Sequence, residues 1–191
     1  MEKSRLYFIT GGVRSGKSSF AEKKAVDLAI HSGGNLHYLA CSRSADAEMK
    51  KRIDRHRKDR ESSPLAWRTS EYSTDIKRIG QELDSNSIVL LDCLTTLLDN
   101  ELFLPEVPLD EDFLQHTFLK IIKEIDEIRN KAQCLIVVSN EVVQEPIFQN
   151  EFLHIYGKML GLLHQALVDR ADEAYLVESG IPIRKKEGIF E

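Results

Sequence analysis

Eight residues near the amino terminus have the types and the spacing of a phosphate-binding loop. They are Gly11, Gly12, Val13, Arg14, Ser15, Gly16, Lys17 and Ser18, which fit the pattern G-x-x-x-x-G-K-[ST]. The glycines let the backbone bend around a phosphate, so that successive N–H groups point at its oxygens. Lys17 can then reach the β- and γ-phosphates, and the Ser18 hydroxyl can bind Mg²⁺. The motif predicts a site for a nucleoside triphosphate.

The segments on either side of this loop are those that its chemistry requires. The apolar run at 6–10 predicts a strand before the loop, and the pattern at 17–31 predicts a helix after it. The amino terminus of such a helix adds the positive end of its dipole to the phosphate site. A short pattern can match by chance, but a loop between a strand and a helix strongly favours phosphate binding.

A second candidate for the same site is an acidic residue at the end of another strand. Residues 88–92 have the sequence Ile-Val-Leu-Leu-Asp, the form of a Walker B strand. There Asp92 would hold Mg²⁺ through water or orient an attacking hydroxyl group. The alternative is an ordinary aspartate that caps a helix beginning at Leu94. Because the chain already has a phosphate loop, we favour the metal role.

A strongly basic segment surrounds one histidine, His56. Met49, Ile53 and His56 are spaced at i, i+4 and i+7, so on a helix the histidine continues an apolar stripe that faces the protein body. Spacing alone favours a buried structural histidine over a catalytic one. The neighbouring Arg57 and Arg60 would suit a nucleotide phosphate. The pattern leaves both roles of the histidine open.

The elements that would position these residues alternate along the chain. Apolar runs typical of strands occur at 6–10, 36–40, 88–92, 135–139 and 174–177. Helical patterns occur at 17–31, 45–60, 113–131 and 151–170, with breaks or turns at 33–34, 84–87, 104–110 and 180–182. This order predicts an α/β fold with a mainly parallel sheet flanked by helices.

Size and charge limit the possible classes of protein. A chain of 191 residues with 42% hydrophobic content can bury one good core, which predicts a single domain over 1–191. The net charge of −5 argues against a basic nucleic-acid-binding protein, so we expect no nucleic-acid partner.

Cysteine usage and hydropathy indicate a cellular location. Cys41, Cys93 and Cys134 are odd in number and lack C-x-x-C pairing, which argues against a disulfide framework and a structural zinc site. No run of 18 apolar residues occurs, so we expect no membrane span. A cytoplasmic protein fits these features best.

Several motifs, in their order along the chain, resemble the adenosylcobinamide kinase/adenosylcobinamide-phosphate guanylyltransferase family. They are the loop at 11–18, Glu48-Met49 with Arg52-Ile53-x-x-His56-Arg57-x-x-Arg60, Trp67-Arg-Thr-x-Glu71, Leu91-Asp92-Cys93-x-Thr95 and Asn140-Glu141-Val142. The resemblance continues through Ala171-Asp172-Glu173 and Gly180-Ile-Pro182, and so covers nearly the whole chain. Each motif alone is weakly specific, whereas their order is strongly so.

The resemblance implies a RecA-like P-loop domain, a homotrimer and a bifunctional enzyme of cobalamin assembly. The enzyme would phosphorylate the aminopropanol hydroxyl of a corrinoid, adenosylcobinamide, with ATP or GTP, and then attach GMP from GTP. Lys17, Ser18-bound Mg²⁺ and Asp92 would stabilise charge during phosphoryl transfer. His56 would attack the α-phosphorus of GTP to give a GMP-histidine intermediate, and pyrophosphate would leave.

The same resemblance implies a lining for the guanine nucleotide. It would consist of Ala40, Cys41, Ser42, Arg57, Lys58, Asp59, Arg60 and Glu71. Glu71 would accept hydrogen bonds from guanine N–H groups. The basic surroundings of His56 would disfavour the protonated ring and so keep the imidazole nucleophilic near pH 7.

Two other functions remain open at this point. One is a P-loop kinase for a small molecule of another pathway, in which Lys17, Ser18 and Asp92 act and His56 is structural. The other is a nonenzymatic nucleotide-binding relative that has lost its second substrate.

Overall fold

A seven-stranded sheet forms the core of the protein. In the computed structural model, the described residues are 4–42, 58, 60–141 and 151–188, and within them the strands lie in the order β3-β2-β4-β5-β1-β6-β7. The strands are β1 (Arg5–Gly11), β2 (Asn35–Ala40), β3 (Trp67–Glu71), β4 (Ser87–Asp92), β5 (Cys134–Asn140), β6 (Glu173–Glu178) and β7 (Ile181–Lys186). Every neighbouring pair is parallel except β6 and β7. The predicted α/β fold with a mainly parallel sheet is confirmed.

Helices cover both faces of this sheet. They are α1 (Lys17–Ser32), α2 (Leu94–Phe103), α3 (Glu111–Lys131) and α4 (Glu151–Arg170), with a 3₁₀ helix at Ile76–Gln81. Alternation along β1 places Leu6 and Phe8 against α2, α3 and α4, and Tyr7 and Ile9 against α1. Three alanines of α1, spaced four residues apart, are buried on the sheet and allow a close approach: Ala21, Ala25 and Ala29.

The five predicted strands are present, and so are the helices predicted at 17–31, 113–131 and 151–170. Helix α1 ends at Gly33, whose φ of 70° is left-handed, and α3 begins after Asp110, which accepts a 2.8 Å hydrogen bond from the Phe113 amide. The helix predicted at 45–60 lies mostly outside the described residues; 58 and 60–61 are helical.

Three local features differ from the predictions. The strand β3 was not predicted because three of its five residues are exposed, so it lacks an apolar pattern and is defined by its backbone pairing with β2. The helix α2 was expected only under one alternative, in which Asp92 caps a helix that begins at Leu94. The turn predicted at 180–182 is in fact at Ser179 and Gly180, whose φ values of 50° and 81° suit a two-residue hairpin, and Ile181 already belongs to β7.

Candidate active site at the carboxyl edge of the sheet

The parallel strands bring the predicted site residues to one edge of the sheet. Strand registers pair Gly11 with Asn140, and Ala40 with both Asp92 and Glu71. With neighbouring strands about 4.8 Å apart, the end of β4 lies roughly 10 Å from the end of β1, and the end of β3 roughly 19 Å from it. The edge therefore has two parts, one at the phosphate loop and Asp92 and the other at β2 and β3.

The phosphate loop has the conformation that its glycines permit. Gly16 has a φ of 90° and immediately precedes α1. The Ser15 amide donates to the Gly12 carbonyl at 3.2 Å, and the Lys17 ammonium donates to the same oxygen at 3.2 Å. Lys17 is 5% exposed, Ser18 is half-buried in the first turn of α1, and Val13 and Arg14 are exposed.

The hairpin between β6 and β7 supports this loop from behind. The Gly180 amide donates to the Ser15 carbonyl at 2.8 Å. A Cβ on Gly16 would lie 3.1 Å from the Gly180 Cα, and a Cβ on Gly11 would lie 2.4 Å from the Val177 carbonyl oxygen. Glycine is therefore required at these two loop positions by contacts with a distant part of the chain.

Asp92 ends β4 as a carboxylate that does not cap α2. The N-cap residue of α2 is Cys93 and not Asp92. Instead, the Asp92 carboxylate accepts a 3.1 Å hydrogen bond from the Tyr38 hydroxyl. Burial foremost, and then the Asp92 charge, raise the pKa of Tyr38 well above its usual value, so the phenol stays protonated and donates. The Asp92 carboxylate and the Ser18 hydroxyl are oxygen donors of the kind that Mg²⁺ prefers.

Arg60 is buried against Tyr38, the residue that binds Asp92, at 8% exposure. Its guanidinium carbon lies 3.5 Å from the centroid of the Tyr38 ring, and its Nη1 lies 3.2 Å from the Glu22 carboxylate on α1. The sequence pattern gave no sign of these contacts, because Glu22 and Tyr38 are 38 and 22 positions away from Arg60.

The ends of β2 and β3 form the second part of the edge. Cys41 is fully buried, its amide donates to the Asp92 carbonyl at 3.2 Å, and burial raises the pKa of its thiol. Ala40 and Ser42 are half-buried, and Glu71 is exposed. A cavity of about 550 Å³ lies nearby and is lined by residues that include Arg60, Trp67 and Thr69. Along β3, Glu71 shares a face with Trp67 and Thr69.

Three of the predicted site residues lie outside the described part of the chain. They are His56, Arg57 and Asp59, so their proposed roles stay predictions. Lys58, between the last two, is helical and exposed.

The cysteines Cys41, Cys93 and Cys134 are free and buried.

A polar cluster joins the ends of β4 and β5. The Asn140 amide donates to the Thr95 hydroxyl at 2.8 Å, and the Cys93 sulfur lies 2.9 Å from that same hydroxyl. The Tyr156 hydroxyl of α4 donates to the Thr95 carbonyl at 3.0 Å. Thr95 and Asn140 belong to the recognised motifs, but only the folded chain shows that they contact each other.

The fold and the site together define a P-loop nucleotide-binding α/β protein. The defining features are a phosphate loop after β1, a helix that begins at Lys17, and an acidic residue at the end of β4. The model of one family, the cobinamide kinase/cobinamide phosphate guanyltransferase (CobU) family, matches residues 7–185. The chain belongs to this family.

Three curated relatives agree with this assignment. The bifunctional adenosylcobalamin biosynthesis protein CobU of Escherichia coli (strain K12) is 32% identical over 188 residues, covering 95% of this chain and 99% of its own. CobP of Pseudomonas aeruginosa, with the same descriptive name, is 33% identical and covers 93% and 95%. CobU of Salmonella typhimurium is 31% identical and covers 95% and 99%. In the described residues, no helix combines the length and apolar character needed to cross a membrane.

Proposed function

We propose that this protein is a bifunctional enzyme that phosphorylates adenosylcobinamide and then transfers GMP from GTP to the product. The observation that carries the proposal is a complete phosphate loop on the same sheet edge as Asp92, in a chain whose family match spans residues 7–185. The names of the three relatives describe bifunctional proteins of adenosylcobalamin biosynthesis, which supports two activities in one chain.

In the kinase step, the substrate hydroxyl oxygen attacks the γ-phosphorus of ATP or GTP. A bond forms from that oxygen to phosphorus, the bond to the β-phosphate oxygen breaks and a nucleoside diphosphate leaves, while the O–H bond of the substrate breaks and its proton is lost to solvent. The loop amides and the Lys17 ammonium bind the phosphate oxygens, and Lys17 exchanges the Gly12 carbonyl for them. Ser18 and Asp92 would hold Mg²⁺, which when bound offsets the charge of the β- and γ-phosphates.

In the guanylyl step, a histidine nitrogen of His56 attacks the α-phosphorus of GTP. The bond to pyrophosphate breaks, and GMP is left on the imidazole. An oxygen of the corrinoid phosphate then attacks this phosphorus and releases the histidine. Arg57 and Arg60 would offset phosphate charge, and Glu71 would bind guanine N–H groups. Arg60 also lines a cavity that runs along the start and middle of β3, with Trp67 and Thr69.

The test is covalent labelling with GTP that carries the label on its α-phosphate. Wild type and the variant His56→Asn are incubated with Mg²⁺ and labelled GTP and then denatured. His116→Asn, which changes an exposed histidine on α3, is the matched control. We expect acid-labile, alkali-stable label on wild type and on the control, and none on His56→Asn. GTP binding without any covalent label would overturn the role of His56 and leave a simple kinase.

The organisation of the whole protein is part of the same proposal. We infer a single P-loop domain over 1–191, assembled as a homotrimer in the cytoplasm. Sedimentation equilibrium measures this directly, because a trimer has three times the chain mass of 21.8 kDa. A single species of chain mass would overturn the trimer without affecting the proposed chemistry.

A further inference from the structure

Tyr38 contacts a buried cation with its ring face and a half-buried carboxylate with its hydroxyl. Its hydroxyl donates to the Asp92 carboxylate at 3.1 Å, and the Arg60 guanidinium carbon lies 3.5 Å from the ring centroid. Tyr38 and Arg60 are each 8% exposed. Water therefore screens this arrangement weakly, and the charges act strongly on each other.

The ring is held in this place from two further sides. The Trp67 ring meets the Tyr38 ring edge-on, with centroids 6.3 Å apart at 79°. Glu22 of α1 contacts Arg60 at 3.2 Å and so draws the guanidinium towards the helix that follows the phosphate loop. Arg60 thus lies on a face of the phenol ring, and Asp92 lies at its hydroxyl.

The arrangement affects which groups the Asp92 carboxylate oxygens can bind. An arginine and a carboxylate that can meet in a buried site form a strong, often two-pronged ion pair. Such a pair would take up the oxygens that the proposed function assigns to Mg²⁺. The Tyr38 hydroxyl instead engages one oxygen only, through a neutral donor, and fixes the carboxylate orientation.

We propose that Tyr38 is a positioning residue, whose hydroxyl orients Asp92 and whose ring face holds the Arg60 guanidinium, so that it does not pair with Asp92. This inference rests on the proposed function, since it assumes that Asp92 acts in the kinase step. It also links the two parts of the sheet edge, because Arg60 follows the proposed nucleophile His56 by four residues. The contact therefore places Arg60, which the proposed function assigns to the guanylyl step, beside a residue that binds Asp92.

The first test is Tyr38→Phe, which removes the hydroxyl and keeps the ring. We expect kcat of the kinase step to fall about tenfold and the Mg²⁺ concentration for half-maximal rate to rise about threefold or more, with the nucleotide KM nearly unchanged. Tyr175→Phe is the matched control, because its hydroxyl also donates to a carboxylate, that of Glu173, on β6. The control should keep wild-type kcat and Mg²⁺ dependence.

A second pair of variants tests whether the ring keeps Arg60 from pairing with Asp92. Tyr38→Leu removes the ring and should lower kinase kcat at least a hundredfold, because Arg60 can then reach Asp92. Adding Arg60→Gln to Tyr38→Leu removes the competing cation and should restore about tenfold of that rate. A double variant no more active than Tyr38→Leu would show that the ring does not keep Arg60 from pairing with Asp92.

The failure of this inference can be told from that of the proposed function. If wild type phosphorylates the corrinoid and Tyr38→Phe keeps its kcat and Mg²⁺ dependence, the inference is wrong and the function stands. This holds even if the variant melts at a lower temperature, which would make the hydroxyl structural. A wild type that forms no phosphorylated corrinoid would overturn the function and the inference together.

Discussion

The ammonium group of Lys17 lies within the phosphate loop, where its proposed chemistry requires it. Its ammonium is nearly buried and donates to the Gly12 carbonyl within the loop itself. A phosphate oxygen is a stronger partner for this group than a neutral carbonyl, because the hydrogen bond becomes one between opposite charges. The lysine is therefore held close to the place where a γ-phosphate would bind.

Replacing Lys17 by alanine should lower kcat/KM of the kinase step by roughly a hundredfold to a thousandfold, the range for removing one donor to developing charge. Initial rates of corrinoid phosphorylation provide the measurement. Lys23→Ala, which changes an exposed lysine of the same helix, serves as the control and should keep the wild-type rate. Equal rates in both variants would show that the loop does not hold the reacting phosphate.

The phosphate loop could be predicted from sequence because its residues are contiguous, and their spacing alone defines the chemistry. Asp92 could be predicted because it ends a recognisable apolar strand. The Tyr38 and Arg60 contacts could not, since they depend on how β2 packs against a helical segment twenty residues later. The cluster of Thr95, Asn140 and Tyr156 was hidden for the same reason.

At the level of elements, the phosphate loop and the β6–β7 hairpin act as one unit. The loop turns at Gly16 where Gly180 lies against it, and the Ser15 carbonyl binds the hairpin amide. The two elements are more than 160 residues apart in the chain, so the loop conformation depends on the completed sheet. As a result, neighbouring glycines of the loop differ in how much space they leave for a side chain.

Gly11→Ala and Gly12→Ala should differ sharply in stability. The new Cβ at 11 would lie 2.4 Å from the Val177 backbone oxygen, whereas none of the described atoms lies within 4 Å of a Cβ at 12. We expect Gly11→Ala to lower the free energy of unfolding by about 1–3 kcal/mol, as overpacking does, and Gly12→Ala by less than about 0.5 kcal/mol. Urea unfolding of the two variants measures the difference. Equal losses would contradict the contact between the loop and β6.

The strands show where sequence patterns suffice and where they fail. Both faces of β4 and β5 are buried, so their apolar runs are continuous and easily recognised. Strand β3 lies at the edge, its exposure does not alternate from residue to residue, and its pairing with β2 decides its structure. A candidate nucleotide contact, Glu71, depends on that pairing for its place beside Ala40.

At the scale of the whole molecule, α4 contacts the sheet through a half-buried titratable group, His164. The His164 Nε2 lies 2.8 Å from the Ser139 hydroxyl on β5, and its ring meets Phe8 of β1 edge-on at 5.1 Å. Burial lowers the pKa of His164 from 6.5 to about 4. Burial, and then the Arg68 charge, lower the pKa of His37 as well. Both histidines are therefore neutral in the folded protein at pH values where the unfolded chain is partly protonated.

The sign of the pH effect follows from this difference in proton binding. Between pH 6.5 and pH 4 the unfolded state takes up a proton at His164 before the folded state does, so the free energy of unfolding falls as the pH is lowered. We expect this histidine to contribute a loss of about 2 kcal/mol over that range. Burial raises the pKa of Asp99 and of Glu124, and these carboxyls act in the opposite direction, so the histidine term must be isolated by comparison.

Urea unfolding of wild type and His164→Gln at several pH values between 4 and 7 isolates the contribution of His164 to the pH dependence of stability. The variant should lose less stability than wild type as the pH falls, because its side chain has no proton to gain. His154→Gln changes an exposed histidine on the same helix and should keep the wild-type slope. Parallel curves for wild type and His164→Gln would mean that the pKa of His164 is the same in the folded and unfolded states. The contacts of this ring with Phe8 and Ser139 would then not favour the neutral imidazole over the protonated one.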